Sequence, residues 1–530
     1  MIAATPTTDA DLPQGVAIIS LASLARPGAA IFAISAAIAF IIFLTTDALH
    51  YADSKPYLLY SAAISHFTAD PQAWYRTAGY PLLITATLYP WSGSVIGILA
   101  VQAILAALIP WVIYKTLLYV SKPLAICGAL LSVVTLLPYQ FQNLLYPDQV
   151  EVFLGILLYY LVVRYHFAKT IPNMALVFLV YSYDAFFRPP SLLLYLVLLG
   201  AVLWCDRETR RRCVKPFALM SIGVATLFVG AASLDGYLYK QINQYRPSFV
   251  GRNLFHNPFV NSMGVDGAFE NGRYTKILRA KFVDYFRNAP PGIIHTLRPE
   301  LGDKFSQYQS DPEQMVDALM AERSVDTFWA LFKISDSFGK DQSDPLFIKV
   351  ALEQYWLHPI ILWNVVTRSL PYYVGLRPPN GQPTFFPFTF ESDPDEFSYG
   401  PGMSAYTERI IGQQAVAAVR SAFVGYSETI FAALYRVLLL AGALLTGLGV
   451  LIAFYLICRG RSPPELPVFF IVLAVYLLYV GPMIILVGPL FRYVCASALL
   501  LLMSGLISLR MLLVDLLLFP VSFTRQRLVE

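Results

Sequence analysis

The stretch Ala29–Thr46, AAIFAISAAIAFIIFLTT, decides how the chain is read. It carries no charge over about 18 residues, the length at which a helix covers the hydrocarbon core of a bilayer. Runs at Val95–Val120 and Phe469–Val487 repeat the pattern. The whole chain agrees: of 530 residues, 57% are hydrophobic and only 14% charged. Soluble proteins carry about 25% charge, and the mean hydropathy here is +0.58. Too few charges remain to solvate a body of this size, which excludes a soluble enzyme, a secreted disulfide scaffold and a disordered chain. Lys+Arg 38 against Asp+Glu 34 leaves +4, too balanced for a nucleic-acid partner. The five cysteines sit in or beside apolar runs and the six histidines are scattered, so neither a disulfide framework nor a structural metal cluster is expected.

Ten spans are expected, at 29–46, 95–118, 123–138, 150–167, 172–185, 190–205, 216–233, 430–457, 466–487 and 493–517. If they alternate, one side collects Arg26, Lys115, Lys122, Arg164, Lys169, the run Arg207–Arg212, Arg459, Arg461, Arg525 and Arg527. Short loops rich in Lys and Arg stay in the cytoplasm, which puts both termini inside. The expectation is an all-α, multi-pass protein of a bacterial inner (plasma) membrane. It divides into an N-terminal transmembrane module 1–233 with a first outer loop 47–94, an extracytoplasmic domain 234–429, and C-terminal helices 430–530. Pro and Gly breaks make the middle domain mixed but mostly helical. Within it, the apolar run Leu352–Tyr373 either lies on the membrane surface or dips in. The first 25 residues lack a basic leader, so the first span reads as an uncleaved anchor.

Ionisable residues gather at the expected outer ends: Asp47, Asp53, Asp148, Glu151, Asp184, Arg188, Arg436 and Arg492. The span centres hold almost none, which disfavours an ion-coupled carrier and favours chemistry at the membrane–water boundary. The first outer loop is the richest segment. It reads Asp47-Ala48-Leu49-His50-Tyr51-Ala52-Asp53-Ser54-Lys55-Pro56-Tyr57, and later Trp74-Tyr75-Arg76-Thr77-Ala78-Gly79-Tyr80-Pro81.

An outer-face Asp followed by Ser, a Tyr four residues after that Asp, and then Arg-Thr-x-Gly-Tyr-Pro resembles the bacterial membrane glycosyltransferases of the C-type superfold (GT-C). These are the relatives of protein mannosyltransferases and aminoarabinose transferases. Val101–Leu105, Tyr146-Pro147-Asp148-Gln149-Val150-Glu151, Phe187-Arg188-Pro189-Pro190 and Leu490-Phe491-Arg492-Tyr493 continue the likeness in order. It covers residues 30–205 and, more weakly, the last spans; the middle domain matches no named pattern. Ala78 stands before Gly79 where many relatives have Pro. Two single aspartates stand where several have adjacent Asp-Glu, which leaves open whether Asp53 or Asp47 corresponds and whether a metal (Mg or Mn) binds.

The resemblance implies a GT-C-like bundle and an inverting transfer from a polyprenyl-phosphate sugar to a glycan, lipid or protein acceptor. Outside the cytoplasm there are no sugar nucleotides, so a donor must cross the bilayer on a lipid. Such a donor needs a greasy groove, a cationic cradle and a carboxylate that takes the acceptor's proton. Asp53 fits that base by its spacing to Ser54 and Tyr57, with Asp47 as the alternate. Lys55, Arg76, Arg188 and Arg492 suit the phosphate. Tyr57, Trp74, Tyr80, Asp148 and Glu151 suit the substrate. Plainer roles stand beside these: Asp148 and Glu151 read equally as helix-start charges, and Arg188 and Arg492 as interfacial anchors. An envelope polymer ligase or polymerase of another fold, and a lipid or solute transporter, are the rival classes.

Overall fold

The computed structural model describes residues 21–49, 54–68, 77–187, 193–203, 207–241, 250–290, 292–338, 340–377, 403–430, 436–461, 463–486 and 491–518. The first part of the chain forms α1 (Leu21–Thr45), α2 (Ser54–Ser65), α3 (Gly79–Ala86), α4 (Tyr89–Ser92), α5 (Ile96–Leu117) and α6 (Lys122–Val134). It continues as α7 (Asp148–Phe167), α8 (Ile171–Phe187), α9 (Tyr195–Leu203) and α10 (Arg207–Gln241). The middle holds α11 (Val250–Asn261), α12 (Arg273–Asn288), α13 (Ile293–Leu297), α14 (Pro299–Phe305), α15 (Pro312–Glu322) and α16 (Val325–Ser335). It then runs through α17 (Lys340–Leu357), α18 (Pro359–Tyr373), α19 (Met403–Ile411) and α20 (Gln413–Ile430). Last come α21 (Arg436–Cys458), α22 (Glu465–Leu486) and α23 (Phe491–Arg510). Among the described residues there is no strand, only an isolated bridge between Leu49 and Leu144.

Among the described residues seven helices are long and apolar enough to cross a membrane, those of α1, α5, α7, α10, α21, α22 and α23. The chain is an all-α, multi-pass membrane protein. Three of the ten expected spans are shorter. α6 has 13 residues and α8 has 17, which at 1.5 Å per residue reach about 20 and 26 Å, short of the roughly 30 Å core. The described part of α9 has nine. Local chemistry sets the length of α6. Ser121 Oγ accepts from Leu124 N at 3.3 Å and Pro123 fills the first turn. At the other end Leu136 turns left-handed (φ 53°) ahead of Pro138, so the helix stops well before residue 138.

The helices still alternate. Tyr119 stacks on Phe167 with ring centroids 5.0 Å apart, which brings the ends of α5 and α7 together. Arg510 Nε meets Glu465 Oε1 at 2.8 Å, joining the end of α23 to the start of α22. Tyr479 on α22 reaches Glu151 at the start of α7, so these two run antiparallel. Phe178 and Phe186 of α8 pack on Phe217 and Phe228 of α10 in parallel order. These contacts gather Lys115, Lys122, Arg164, Lys169, Arg459, Arg461 and Arg510 at one end of the bundle, as the charge alternation predicts. The other end carries the polar segments of interest.

The middle of the chain has its own core, built from side chains such as Phe255, Phe282, Leu331 and Phe347, apart from the core of the spans. α18 joins the two, with Ile361 in one and Val365 and Tyr373 in the other. Asn257 also docks this unit, its amide donating to Ile484 O (3.1 Å) and Ile485 O (2.6 Å) at the end of α22.

The start of α12 is held by Glu353. Its carboxylate accepts from Tyr274 N, Thr275 N and Thr275 Oγ1 at 2.9–3.1 Å. Gly272, at φ +128°, precedes the helix where any Cβ would collide with that carboxylate. Burial pushes Glu353 up, but the hydrogen bonds from Tyr274, Thr275 and Arg273 outweigh it and hold the carboxyl below its ordinary range. A lowered folded value means the contribution is present at neutral pH and is lost as pH falls through that value. Glu353→Ala is therefore expected to lower stability by about 1–2 kcal/mol at pH 7, read by thermal unfolding in detergent. The gap to wild type should close on acidification; equal stability at pH 7 would remove the capping role.

Candidate functional site

The segment between α6 and α7 is buried although only the short 3-10 turn Leu137–Tyr139 is helical, and it carries Gln140, Gln142 and Asn143. A loop withdrawn from water must find partners for its backbone groups inside the protein. α5 supplies them. Gln102 Nε2 donates to Gln142 O (2.8 Å), Leu144 O (2.9 Å) and Phe141 O (3.3 Å). Its Oε1 accepts from Tyr80 Oη at 2.6 Å. The loop answers with its own amides: Gln142 Nε2 donates to Ala39 O (2.7 Å) and Asn143 Nδ2 to Thr46 O (2.8 Å), while Gln149 in the first turn of α7 donates through Nε2 to Pro138 O (2.9 Å). Leu49, beyond α1, pairs with the same loop through Leu49 N to Asn143 O (2.9 Å) and Leu145 N to Leu49 O (2.8 Å).

The Thr-x-Gly-Tyr-Pro segment locks onto this knot. Thr77 Oγ1 donates to Phe187 O at 2.6 Å, at the end of α8. A Cβ on Gly79 would sit 2.6 Å from the Phe187 ring and 2.8 Å from the Phe186 carbonyl, so glycine permits α3 to abut α8 there. Tyr80 is fully buried, and Tyr57 packs edge-on against both Tyr80 (5.3 Å) and Tyr146 (5.4 Å). Burial, then Tyr57 and the Asp148 carboxylate, push the Tyr80 phenol well above its ordinary range, which keeps it a donor to Gln102.

Three carboxylates are buried at this end: Asp148 and Glu151 in the first turn of α7, and Asp184 one turn before the end of α8. Glu151 Oε1 accepts from Tyr479 Oη at 2.9 Å. Glu151, Asp184 and Tyr479 line a narrow cavity with Gly155, Val475 and Leu500. Its volume of about 10 Å³ suits a single water. The helix start favours the α7 acids by about 1–2 kcal/mol at most, while desolvating an ion costs several. Ionisable groups inside a bundle usually serve function.

Asp47 lies elsewhere on the same end. Its Oδ2 is 2.9 Å from Arg420, and the Ser404 hydroxyl donates to its Oδ1. Arg420 Nε also donates to Thr45 O at 3.0 Å. Asp47 thereby ties α1 to α19 and α20. Lys55 sits in the first turn of α2, and Arg492 belongs to the first turn of α23. Asp53, Trp74, Arg76 and Arg188 lie outside the described residues. Among the described residues no three His, Cys, Asp or Glu side chains converge as a metal site. Gln102, Asp184 and Tyr479 were absent from the sequence-derived site. Asp184 was legible as an acid at an expected outer end and Gln102 as part of the Val101–Leu105 likeness, while Tyr479 and the partners of Gln102 declare themselves only through contacts across 22 to 328 residues. Compared with protein families, curated proteins and solved structures, the chain matches none.

Gln102→Leu takes the side-chain donor from Gln142 O and the acceptor from Tyr80 Oη, each costing about 1–3 kcal/mol, while Phe141 O and Leu144 O keep their backbone donors Leu144 N and Tyr146 N. It is expected to lower the unfolding temperature far more than Tyr80→Phe, which removes one bond worth about 1 kcal/mol. Similar small shifts for both, by differential scanning fluorimetry, would show that Gln102 does not hold the loop.

Proposed function

We propose that the chain is an inverting membrane glycosyltransferase. It moves a sugar from a polyprenyl-phosphate donor to a glycan, lipid or protein acceptor on the outer face of a bacterial inner membrane. One observation carries the reading. The segments that bear the resemblance (Thr77–Pro81, Gln102 and its neighbours, Tyr146–Glu151 and Phe187) meet at one end of the bundle, although Thr77 and Phe187 are 110 residues apart. That end lies opposite the basic one, and it holds three buried carboxylates.

In this reading the acceptor hydroxyl attacks the anomeric carbon as a carboxylate removes its proton, and the lipid phosphate departs from the opposite face. The new glycosidic bond forms as the bond to phosphate breaks, so the anomeric centre inverts. Asp53 is the favoured base. Asp53 keeps the spacing to Ser54 and Tyr57 on which the resemblance rests, whereas Asp47 is already engaged by Arg420 and Ser404. Lys55, Arg76, Arg188 and Arg492 are the cations for the departing phosphate, with Mg or Mn as a further source of positive charge. Glu151 and Asp184 accept from sugar hydroxyls. The present space beside them fits a water, so a sugar enters only as the surrounding segments part.

The same acid pair favours one other reading, a cation-coupled carrier. Against it, Glu151 and Asp184 stand one turn from helix ends rather than at mid-depth, where such carriers keep their charges.

Asp53→Asn is expected to melt like wild type and to lose about 10²–10⁴ in turnover of a polyprenyl-phosphate sugar, while Asp47→Asn keeps turnover and loses stability. Full turnover in Asp53→Asn would move the base elsewhere. Unchanged turnover in both variants and in Glu151→Gln would remove the reaction class, and uptake driven by a cation gradient would establish the carrier.

A further inference from the structure

The α17–α18 corner exposes a surface that a water-facing domain does not keep. Trp356 is 85% exposed and Trp363 64%, and Leu352, Leu357, Ile360 and Leu370 are exposed beside them. On α18 the exposed positions Pro359, Trp363 and Leu370 recur at helical spacing. The opposite face, with Ile361, Val365 and Tyr373, is buried against the protein. A helix apolar on both faces is one embedded in protein or in lipid. Of the polar residues on its open side, Thr367 Oγ1 donates to Trp363 O at 2.8 Å, and Arg368 reaches Asn261 Oδ1 at 3.4 Å. Asn364 donates to Asn261 O at 3.3 Å.

Its course gives the depth. Partway along, at Asn364, α18 lies by Asn261 of α11, whose Asn257 sits on carbonyls near the end of α22. At its end Tyr373 O accepts from Tyr476 Oη at 3.4 Å. Tyr476 precedes Ile484 by two turns of α22, a descent of about 12 Å along a membrane-spanning helix. α18 therefore runs from the end of the bundle down its flank. α22, against which it packs, also exposes an apolar side chain at Leu477.

We infer that α18 is a half-membrane helix: Trp363 and Leu370 lie in lipid, and Trp356 at the headgroup boundary anchors the middle unit to the bilayer. Tryptophan's apolar ring and polar N–H suit that boundary. The anchor fixes the height of the middle unit above the bundle end that carries Glu151 and Asp184. It does not depend on the proposed reaction, since any protein with this fold would bury the same face.

The test uses the full chain without its native cysteines, reconstituted in phosphatidylcholine–phosphatidylglycerol vesicles. A nitroxide is attached at Trp356→Cys, Trp363→Cys, Leu370→Cys or, as a control, Lys276→Cys on the exposed side of α12. Power saturation should show oxygen collisions exceeding those of a nickel chelate at 363 and 370, the reverse at 276, and an intermediate value at 356. Nickel-chelate access at 363 and 370 equal to that at 276 would place the face in water and overturn the inference. Low access to both reagents would show that protein, such as a second copy, covers it, and would overturn it too. Should removing the cysteines impair folding, brominated phosphatidylcholine is used with otherwise native protein. Quenching of tryptophan emission should then be reduced in Trp356→Phe/Trp363→Phe, and unchanged quenching would contradict the anchor.

Discussion

A bilayer offers no water to a backbone that leaves the helix, and between α6 and α7 the chain leaves it inside the bundle. The side-chain amide of Gln102 is the consequence. One residue on an otherwise apolar helix satisfies three carbonyls of the buried loop and receives the Tyr80 hydroxyl. Around that amide the rest of the polar end is arranged. Leu49 pairs with the loop, Gly79 and Thr77 bring α3 onto α8, and the loop delivers Asp148 and Glu151 to the start of α7. Remove the amide and these segments lose the reason to share one place.

The polar knot also explains how a bundle can hold buried acids. Asp148 and Glu151 occupy the first turn of a helix, where exposed N–H groups and the helix dipole favour negative charge. Asp184 reaches the same region from the far end of α8, and Tyr479 of α22 donates to Glu151. Acids brought together from two helices, beside a tyrosine from a third, form a chemical environment rather than a packing solution. The middle unit, docked through Asn257 and α18, covers the neighbouring end of α22.

Much of this was legible in the residues. Long uncharged runs such as Ala29–Thr46 became spanning helices, and the alternation of Lys and Arg foresaw which helix ends share a side. The shorter apolar runs fell on shorter helices, because a hydropathy window does not see that Ser121 and Pro123 start α6 or that Leu136 and Pro138 stop it. At the polar end, Gly79, Tyr80, Asp148 and Glu151 stood out as a motif set, and they do meet. Their partners did not stand out. A glutamine inside an apolar run and a tyrosine near the end of α22 look like ordinary core residues until the fold brings them to a carbonyl or a carboxylate. Asp47 illustrates the converse. An acid just past a span reads as reactive, yet its partner Arg420 lies hundreds of residues away and engages it in an ion pair.

The proposed chemistry stands on which way the bundle faces, because a lipid-carried sugar is the sensible donor only where sugar nucleotides are absent. The most direct measurement is labelling of intact cells with a membrane-impermeant maleimide. The probe sites are Ser92→Cys, exposed at the polar end beside α4, and the native Cys458, exposed at the basic end. The account predicts that Ser92→Cys is labelled from outside and that Cys458 reacts only after the membrane is opened. Labelling of Cys458 in intact cells, with Ser92→Cys protected, would put the carboxylates in the cytoplasm and contradict it.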